Sequence, residues 1–293
     1  MNEMYIHGNN IEQKENHRTK YQDRLSKTYL KEIRQKYDRW RTANENLKGP
    51  VIKKNLKKDL AIIKKRTELL NKYKDFIDQQ HYAEKFDSRS NLHSSVLEEF
   101  MYYLFRNLVE YFSKDALIGK SRTFKDIFFR PDNFKEMIIK PNTLIEKKDH
   151  DFAIGVKINS KLKCNGSEIE EKHTWDIPAV AIECKTYLDK TMLQDASTAA
   201  EQLQHRNPNS MYIVVAEWLK LTDAVNLKKF KIDQIYVLRK QKNTDREFRF
   251  QEGYIKNPIY YDVVENLFNR VRDYLLTDWE SGISIGLEKG YLI

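Results

Sequence analysis

The feature that most constrains this chain is Ile177-Pro-Ala-Val-Ala-Ile-Glu183-Cys-Lys185, an apolar, partly β-branched run that ends in two charges. It reads as a buried strand with Pro178 at its start, where a missing N–H does least harm. Side chains alternate along a strand, so Glu183 and Lys185 project from one face and Ile182 and Cys184 from the other. A carboxylate and an ammonium at the end of a core strand are costly to desolvate unless a metal, an anionic substrate or partner charges meet them. An ion pair at a strand end would account for these two residues by themselves.

A second segment changes the reading. Asp149-His-Asp151 runs into Phe152-Ala-Ile-Gly-Val-Lys-Ile158, another apolar strand, and polar residues 159–175 are long enough to return the chain beside it. Asp151 and Glu183 from adjacent strands, with the backbone carbonyl of Cys184, are oxygen donors suited to Mg²⁺, which keeps several of its waters. Lys185 is then placed to hold an attacking water or to stabilise charge on a phosphate.

Asp151, the Glu183-Cys184-Lys185 tripeptide and the apolar run before it resemble the PD-(D/E)xK nucleases, and within them the type II restriction endonucleases. Lys185-Thr-Tyr-Leu-Asp-Lys-Thr-Met192, a helical segment and Ser210-Met-Tyr-Ile-Val-Val-Ala216 extend the likeness over roughly residues 90–220. It leans towards the two-subunit group typified by BbvCI. The pattern departs at one place: His150, not proline, precedes Asp151. The literal Pro131-Asp132 lies upstream among turn formers, and Asp149 is a second competitor for the first acidic position. The resemblance implies an α/β (α+β) fold, a mixed β-sheet flanked by helices. It also implies Mg²⁺, one or two ions per site, and sequence-specific cleavage of double-stranded DNA. Because a double-strand break needs two sites, it further implies a homodimer or a pair with a similar second subunit. A repair or structure-specific nuclease of the same superfamily would share these residues, and a non-catalytic DNA-binding protein would leave Glu183 and Lys185 as a plain ion pair.

Composition supports a nucleic-acid partner at one end of the chain. Residues 1–80 of the 293 hold 20 Lys and Arg against 11 Asp and Glu, whereas the remainder hold 32 of each, so the whole net charge of +9 is N-terminal. That part reads as two long helices broken at Gly49-Pro50, about Gln13–Leu47 and Ile52–Gln80. In the second, Leu56, Leu60, Ile63, Leu69, Leu70 and Tyr73 form an apolar stripe. Lys53, Lys54, Lys57, Lys58, Lys64, Lys65 and Arg66 crowd the rest; such a basic helix suits DNA phosphates, an acidic membrane or an acidic partner, and within a nuclease-like chain the block, with Lys190 beside the motif, is expected to contact phosphates. The expected organisation is a basic helical region over 1–90, for DNA grip or partner contact, and a catalytic domain over 91–293.

From Ser94, which can cap a helix, residues 94–112 show strong helical periodicity. The helical wheel leaves Glu98 at the edge of the buried face and Glu99 nearly opposite; the resemblance implies one more acidic residue near the metal on this helix, for which Glu98 is the candidate and Glu99 the alternate. Residues 114–147, with Gly119, Pro131 and Pro141, read as a covering loop with short elements. Beyond the motif, Thr191–His205 reads as a helix packing through Ala196, Ala199, Ala200 and Leu203. Met211–Val215 and Ile232–Leu238 read as strands, and Val263–Trp279 as an amphipathic helix. Arg239, Lys240 and Lys242 are placed to touch DNA. A strand–helix–strand order implies a parallel crossover.

Other chemistries find no support. There is no phosphate-binding Gly-x-x-x-x-Gly-Lys and no Gly-x-Ser-x-Gly elbow. Cys164, His173 and Cys184 lack the spacing of paired zinc ligands. His150 beside Asp151 reads as an incidental loop histidine. Two cysteines fit a reducing compartment. No run of eighteen apolar residues and no basic-then-apolar leader are present, so a cytoplasmic prokaryotic protein with no membrane contact is expected.

Overall fold

The computed structural model describes residues 4–51, 56–86, 91–243, 253–279 and 287. Four helices come first: α1 (Ile6–Glu15), α2 (Arg24–Asn46), α3 (Leu56–Ile77) and α4 (Gln80–Lys85). The single helix expected over 13–47 is therefore two. Asn16 ends α1, Tyr21 takes a left-handed φ of +62°, and the Asp23 carboxylate accepts from Ser26 N to restart the helix. The break near Gly49-Pro50 is found as expected. There Arg66, buried and not solvated as the stripe suggested, donates its fork to the carbonyls of Asn44, Leu47 and Gly49. Its donors are spent on the chain turn, which removes it from the phosphate-contact set.

α5 (Ser95–Phe112) follows, and it is the hub of the molecule. Its residues Val96, Leu97, Phe100, Met101, Leu104, Phe105 and Leu108 are fully enclosed, packed with α1–α3 and, on the other side, with the sheet. Because both sides are covered, Glu99, expected to point away from the buried face, is itself fully buried. Ser94 makes no side-chain capping bond.

The sheet has five strands in sequence order: β1 (Leu117–Phe129), β2 (Thr143–Leu162), β3 (Glu171–Leu188), β4 (Met211–Leu219) and β5 (Gln234–Val237). Its first three strands form an antiparallel meander; β4 and β5 run parallel to β3. A short helix, α6 (Phe134–Ile139), joins β1 to β2, and α7 (Lys190–Arg206) makes the expected crossover from β3 to β4. α8 (Tyr261–Leu276) closes the described fold. Helices flank both faces. On one, α5 and α8 cover Phe152, Val180, Ile182 and Ile213. On the other, Leu193, Ala196, Ala200 and Leu203 of α7 cover Ala181, Tyr212 and Val214.

Two strand expectations need correcting. Residues 114–147 are not a covering loop, because β1 and the first part of β2 pair through them, Phe128 opposite Leu144 and Thr123 opposite Lys148. In β1 the buried–exposed alternation holds only as far as Thr123 and is lost beyond it, where Asp126, Ile127, Phe128 and Phe129 are all exposed. And Pro178 sits inside β3, not at its start. The ladder shifts register between Ile154 and Gly155, where Gly155 faces Pro178, so the proline is accommodated at an irregularity. Its carbonyl accepts from Asn207 and Ser210 just before β4 takes up pairing at Val180–Met211.

Candidate active site

Asp151 and Glu183 meet because β2 and β3 are neighbours, with Phe152 opposite Ile182. One step further along the ladder the strands hand over to side-chain contacts. Asp151 Oδ2 accepts the Cys184 backbone N–H at 2.9 Å and lies 3.4 Å from Lys185 Nζ, which donates to Glu183 Oε1 at 2.5 Å. Asp151 is aimed by the partner on its other side. Between β1 and β2 the register jumps from Gly119–Ala153 to Ser121–His150, so Asp151 and Phe152 together oppose Lys120. Such a bulge swings a side chain off the regular alternation.

The three side chains remain 20–25% exposed, open enough for substrate and dry enough for strong electrostatics. Burial and then the Asp151 charge raise the Glu183 carboxyl above its ordinary value, against the pull of Lys185. Against burial, which lowers it, Asp151 and Glu183 hold the Lys185 ammonium above the usual lysine range. Glu98, in the first turn of α5, belongs to the same field. Burial and then Asp151 push it up to about 8, while Lys120 and Lys185 oppose the rise.

Glu99 is elsewhere. Its carboxylate accepts from the backbone N–H groups of His7 and Gly8 and from the hydroxyls of Tyr37 and Tyr103, so it ties α1 and α2 to α5. Asp149 is exposed on β2, and Asp132 lies exposed before α6, where its N–H donates to Glu136. Neither joins the cluster. Cys184 is buried in the core and Cys164 donates to Met137 O, so the two cysteines do not converge.

Of the basic residues, Lys53 and Lys54 lie outside the described residues. Lys57, Lys58 and Lys65 are exposed on α3, Lys65 paired with Glu68; Lys64 is half-buried over the Tyr261 ring at 4.4 Å. Lys190 is exposed at the first position of α7. Arg239, expected to touch DNA, is fully buried: it pairs with Glu217, which also binds Lys74 of α3 at 2.8 Å. Lys240 and Lys242 are exposed and paired with Asp262 and Asp223.

Two residues near the site, Lys120 and Tyr212, were given no role from the sequence, and a third, His150, was read as lying in a loop. Lys120 lay in a stretch taken for a loop, although the alternation Leu117-x-Gly119-x-Ser121-x-Thr123 is visible in it. His150 is a buried strand residue whose ring stands edge-on to Tyr212, 5.6 Å between centroids. Burial, and then Lys148, lower it to about 4, so it is neutral. Tyr212 pairs with Ala181, two residues before Glu183, and is fully buried; burial and then Glu183 raise its hydroxyl.

Comparison with known proteins bears on the fold and the family. The chain's fold is shared with that of a chain from a structure described as the native BbvCI A2B2 tetramer, with a TM-score of 0.69 at 20% identity, covering 96% of this chain and 99% of that one. No curated protein sequence matches significantly. The family model described as the Bpu10I restriction endonuclease matches residues 89–292, from the start of α5 through both carboxylate-bearing strands and beyond. The chain therefore belongs to the Bpu10I restriction endonuclease family, the site-specific deoxyribonucleases of type II.

Proposed function

We propose that this chain hydrolyses phosphodiester bonds of double-stranded DNA at a specific sequence, using Mg²⁺ held by Asp151 and Glu183. The observation that carries the reading is the convergence of these two carboxylates on Lys185 at the open end of the β2–β3 pair, with Glu98 completing the field. The donor set fits the ion. Carboxylate oxygens are hard ligands, and Glu98 and Glu183 are both raised partly by the nearby Asp151 charge, a repulsion that a divalent cation relieves. Among the described residues no group of three or more His, Cys, Asp or Glu side chains is placed to hold a metal ion, so Asp151 and Glu183 would be its side-chain ligands.

Mg²⁺ at this place supplies Lewis acidity to a phosphate oxygen and lowers the pKa of a bound water. The chain's own residues do the rest. Asp151 and Glu183 favour the charged form of Lys185 against its burial, so the ammonium would donate hydrogen bonds to a phosphate oxygen or to the attacking water. Asp151, fixed by the Cys184 N–H, holds its orientation without help from substrate, and the adjoining Cys184 carbonyl is the third oxygen proposed for the ion. Glu98, whose carboxyl burial and the Asp151 charge raise when no ion is bound, is a further carboxyl beside the site that could take up or give a proton there. The exposed lysines of α3, with Lys53, Lys54 and Lys190, contact the DNA backbone and carry no sequence information themselves.

The BbvCI chain was found in a tetramer of two kinds of subunit, and this chain is expected to act with a second copy or a similar second subunit, bringing two sites to one duplex. Incubation with assorted plasmids tests the whole reading. Discrete fragments with Mg²⁺, none with EDTA, support it; smears or junction-limited cuts favour a structure-specific nuclease instead. No cutting, alone or with a partner subunit, refutes it.

A further inference from the structure

The hydroxyl of Tyr212 is enclosed in the fold and finds no hydrogen-bond partner among the described residues. Tyr212 belongs to an apolar cluster with Ala181 of β3, Val214 of β4 and Ala200 and Leu203 of α7. A phenylalanine would fill the same space without burying an unpaired donor, which costs free energy. The tyrosine therefore calls for a polar partner that the apolar cluster does not supply.

Its position in the sheet points to one. Tyr212 pairs with Ala181 and Val214 with Glu183 across the parallel β3–β4 ladder. Side chains two apart on a strand share a face, so Tyr212, Ala181 and Glu183 lie on the α7 side of the sheet. On β2, continuing the ladder that sets Phe152 opposite Ile182 brings His150 level with Cys184. The His150 ring nevertheless stands edge-on to that of Tyr212, 5.6 Å between centroids. The two rings thus meet across β3 over the span 181–184, which carries Glu183. His150 is buried too, and its Nδ1 also finds no partner among the described residues. After burial, the charges of Glu183 and then Asp151 raise the Tyr212 hydroxyl, so it lies within the field of the site. Lys185 donates to Glu183 Oε1 at 2.5 Å, which leaves the other carboxylate oxygen to a second donor.

We propose that Tyr212 is a positioning residue for Glu183: its hydroxyl donates to the carboxylate oxygen that a bound divalent cation leaves free, while the edge-on His150 ring keeps the phenol in place. The inference rests on the reading of Glu183 as a ligand of Mg²⁺. Hydrogen bonds to a ligating carboxylate fix its orientation, and losing one typically weakens metal binding about 10–100-fold.

The test compares wild type, Tyr212→Phe and Glu183→Gln as full chains. Mg²⁺ is titrated against melting temperature and, with a partner subunit if cutting needs one, against the rate of plasmid cleavage. Tyr212→Phe should melt in EDTA no more than about 1 °C below wild type, because it loses only an unpaired hydroxyl. Its Mg²⁺ midpoint should rise by about 10–100-fold in both titrations. A drop of several degrees in EDTA overturns the proposal, since the hydroxyl would then have a structural partner, such as an enclosed water, without the cation. If Glu183→Gln shifts the midpoint and Tyr212→Phe does not, the positioning role alone fails. If wild type and Glu183→Gln respond to Mg²⁺ alike, the ligand role of Glu183 fails and the positioning role falls with it.

Discussion

Gly155→Ala isolates the contact that registers the two carboxylate-bearing strands. A Cβ at Gly155 would stand 2.7 Å from Pro178 Cα and 3.0 Å from the Ile177 carbonyl carbon, and closer still to the Ile177 oxygen. These are backbone atoms that no side-chain rotation can move, so ordinary contact near 3.5 Å requires β2 and β3 to part by about 1 Å. Overpacking of this kind costs roughly 1–3 kcal/mol, offset by about 0.4–1 kcal/mol from the stiffer unfolded chain. At roughly 2–4 °C per kcal/mol, the melting temperature should fall by several degrees. Since Phe152–Ile182, in the same ladder, sets the approach of Asp151 to Glu183, cleavage should fall further, by up to about 100-fold for a 1 Å displacement of the reacting groups. Gly253→Ala, whose Cβ would meet nothing, is the control. Thermal melts and cleavage time courses on the three proteins read both effects. If Gly155→Ala melts within about 1 °C of wild type and cuts at full rate, the close approach does not set the register.

Two other perturbations probe the N-terminal helices. Burial raises Glu99 to about 7, although hydrogen bonds from Tyr103, Gly8, Tyr37 and His7 favour its charged form. The folded protein thus keeps a proton that the unfolded chain releases near 4.5, so stability falls as pH rises from about 4.5 to 7, by about 3 kcal/mol over the window. Glu99→Gln should therefore gain on wild type by that amount between pH 5 and pH 8 in urea unfolding; a pH-independent difference refutes the shift. Lys74→Met leaves Glu217 and Asp78 buried with one cationic partner fewer and should cost about 3–5 kcal/mol by the same assay, while a loss under about 1 kcal/mol would show the network to be incidental.

What the sequence disclosed followed the strength of local periodicity. α7 was legible nearly to the residue, because Ala196, Ala199, Ala200 and Leu203 repeat at helical spacing, and the start of β4 was legible from the apolar run Met211–Val215, although the strand runs on to Leu219. β1 was not, since its outer half is solvated on both faces and shows no alternation of buried and exposed residues. Glu98 and Glu99 show the limit of a helical wheel: α5 is covered on two sides, so a residue opposite the sheet is as buried as one facing it, and only the tertiary partners separate them. The same holds for Arg66 and Arg239, whose charge suggested solvent and whose donors are used inside the fold. Asp151 and Glu183 could be paired in advance because a strand, a polar return and a second strand leave few alternatives; the bulge facing Lys120 could not.

Cleavage by Asp151→Asn, Glu183→Gln and Lys185→Ala, set beside Asp132→Asn, tests the central claim most directly. The first three should each cut a singly cleaved plasmid at least about 100-fold more slowly at saturating Mg²⁺, with DNA binding and melting temperature near wild type, and Asp132→Asn should cut normally. Full activity in Glu183→Gln or Lys185→Ala, or loss of cutting in Asp132→Asn while Asp151→Asn remains active, would place the chemistry elsewhere.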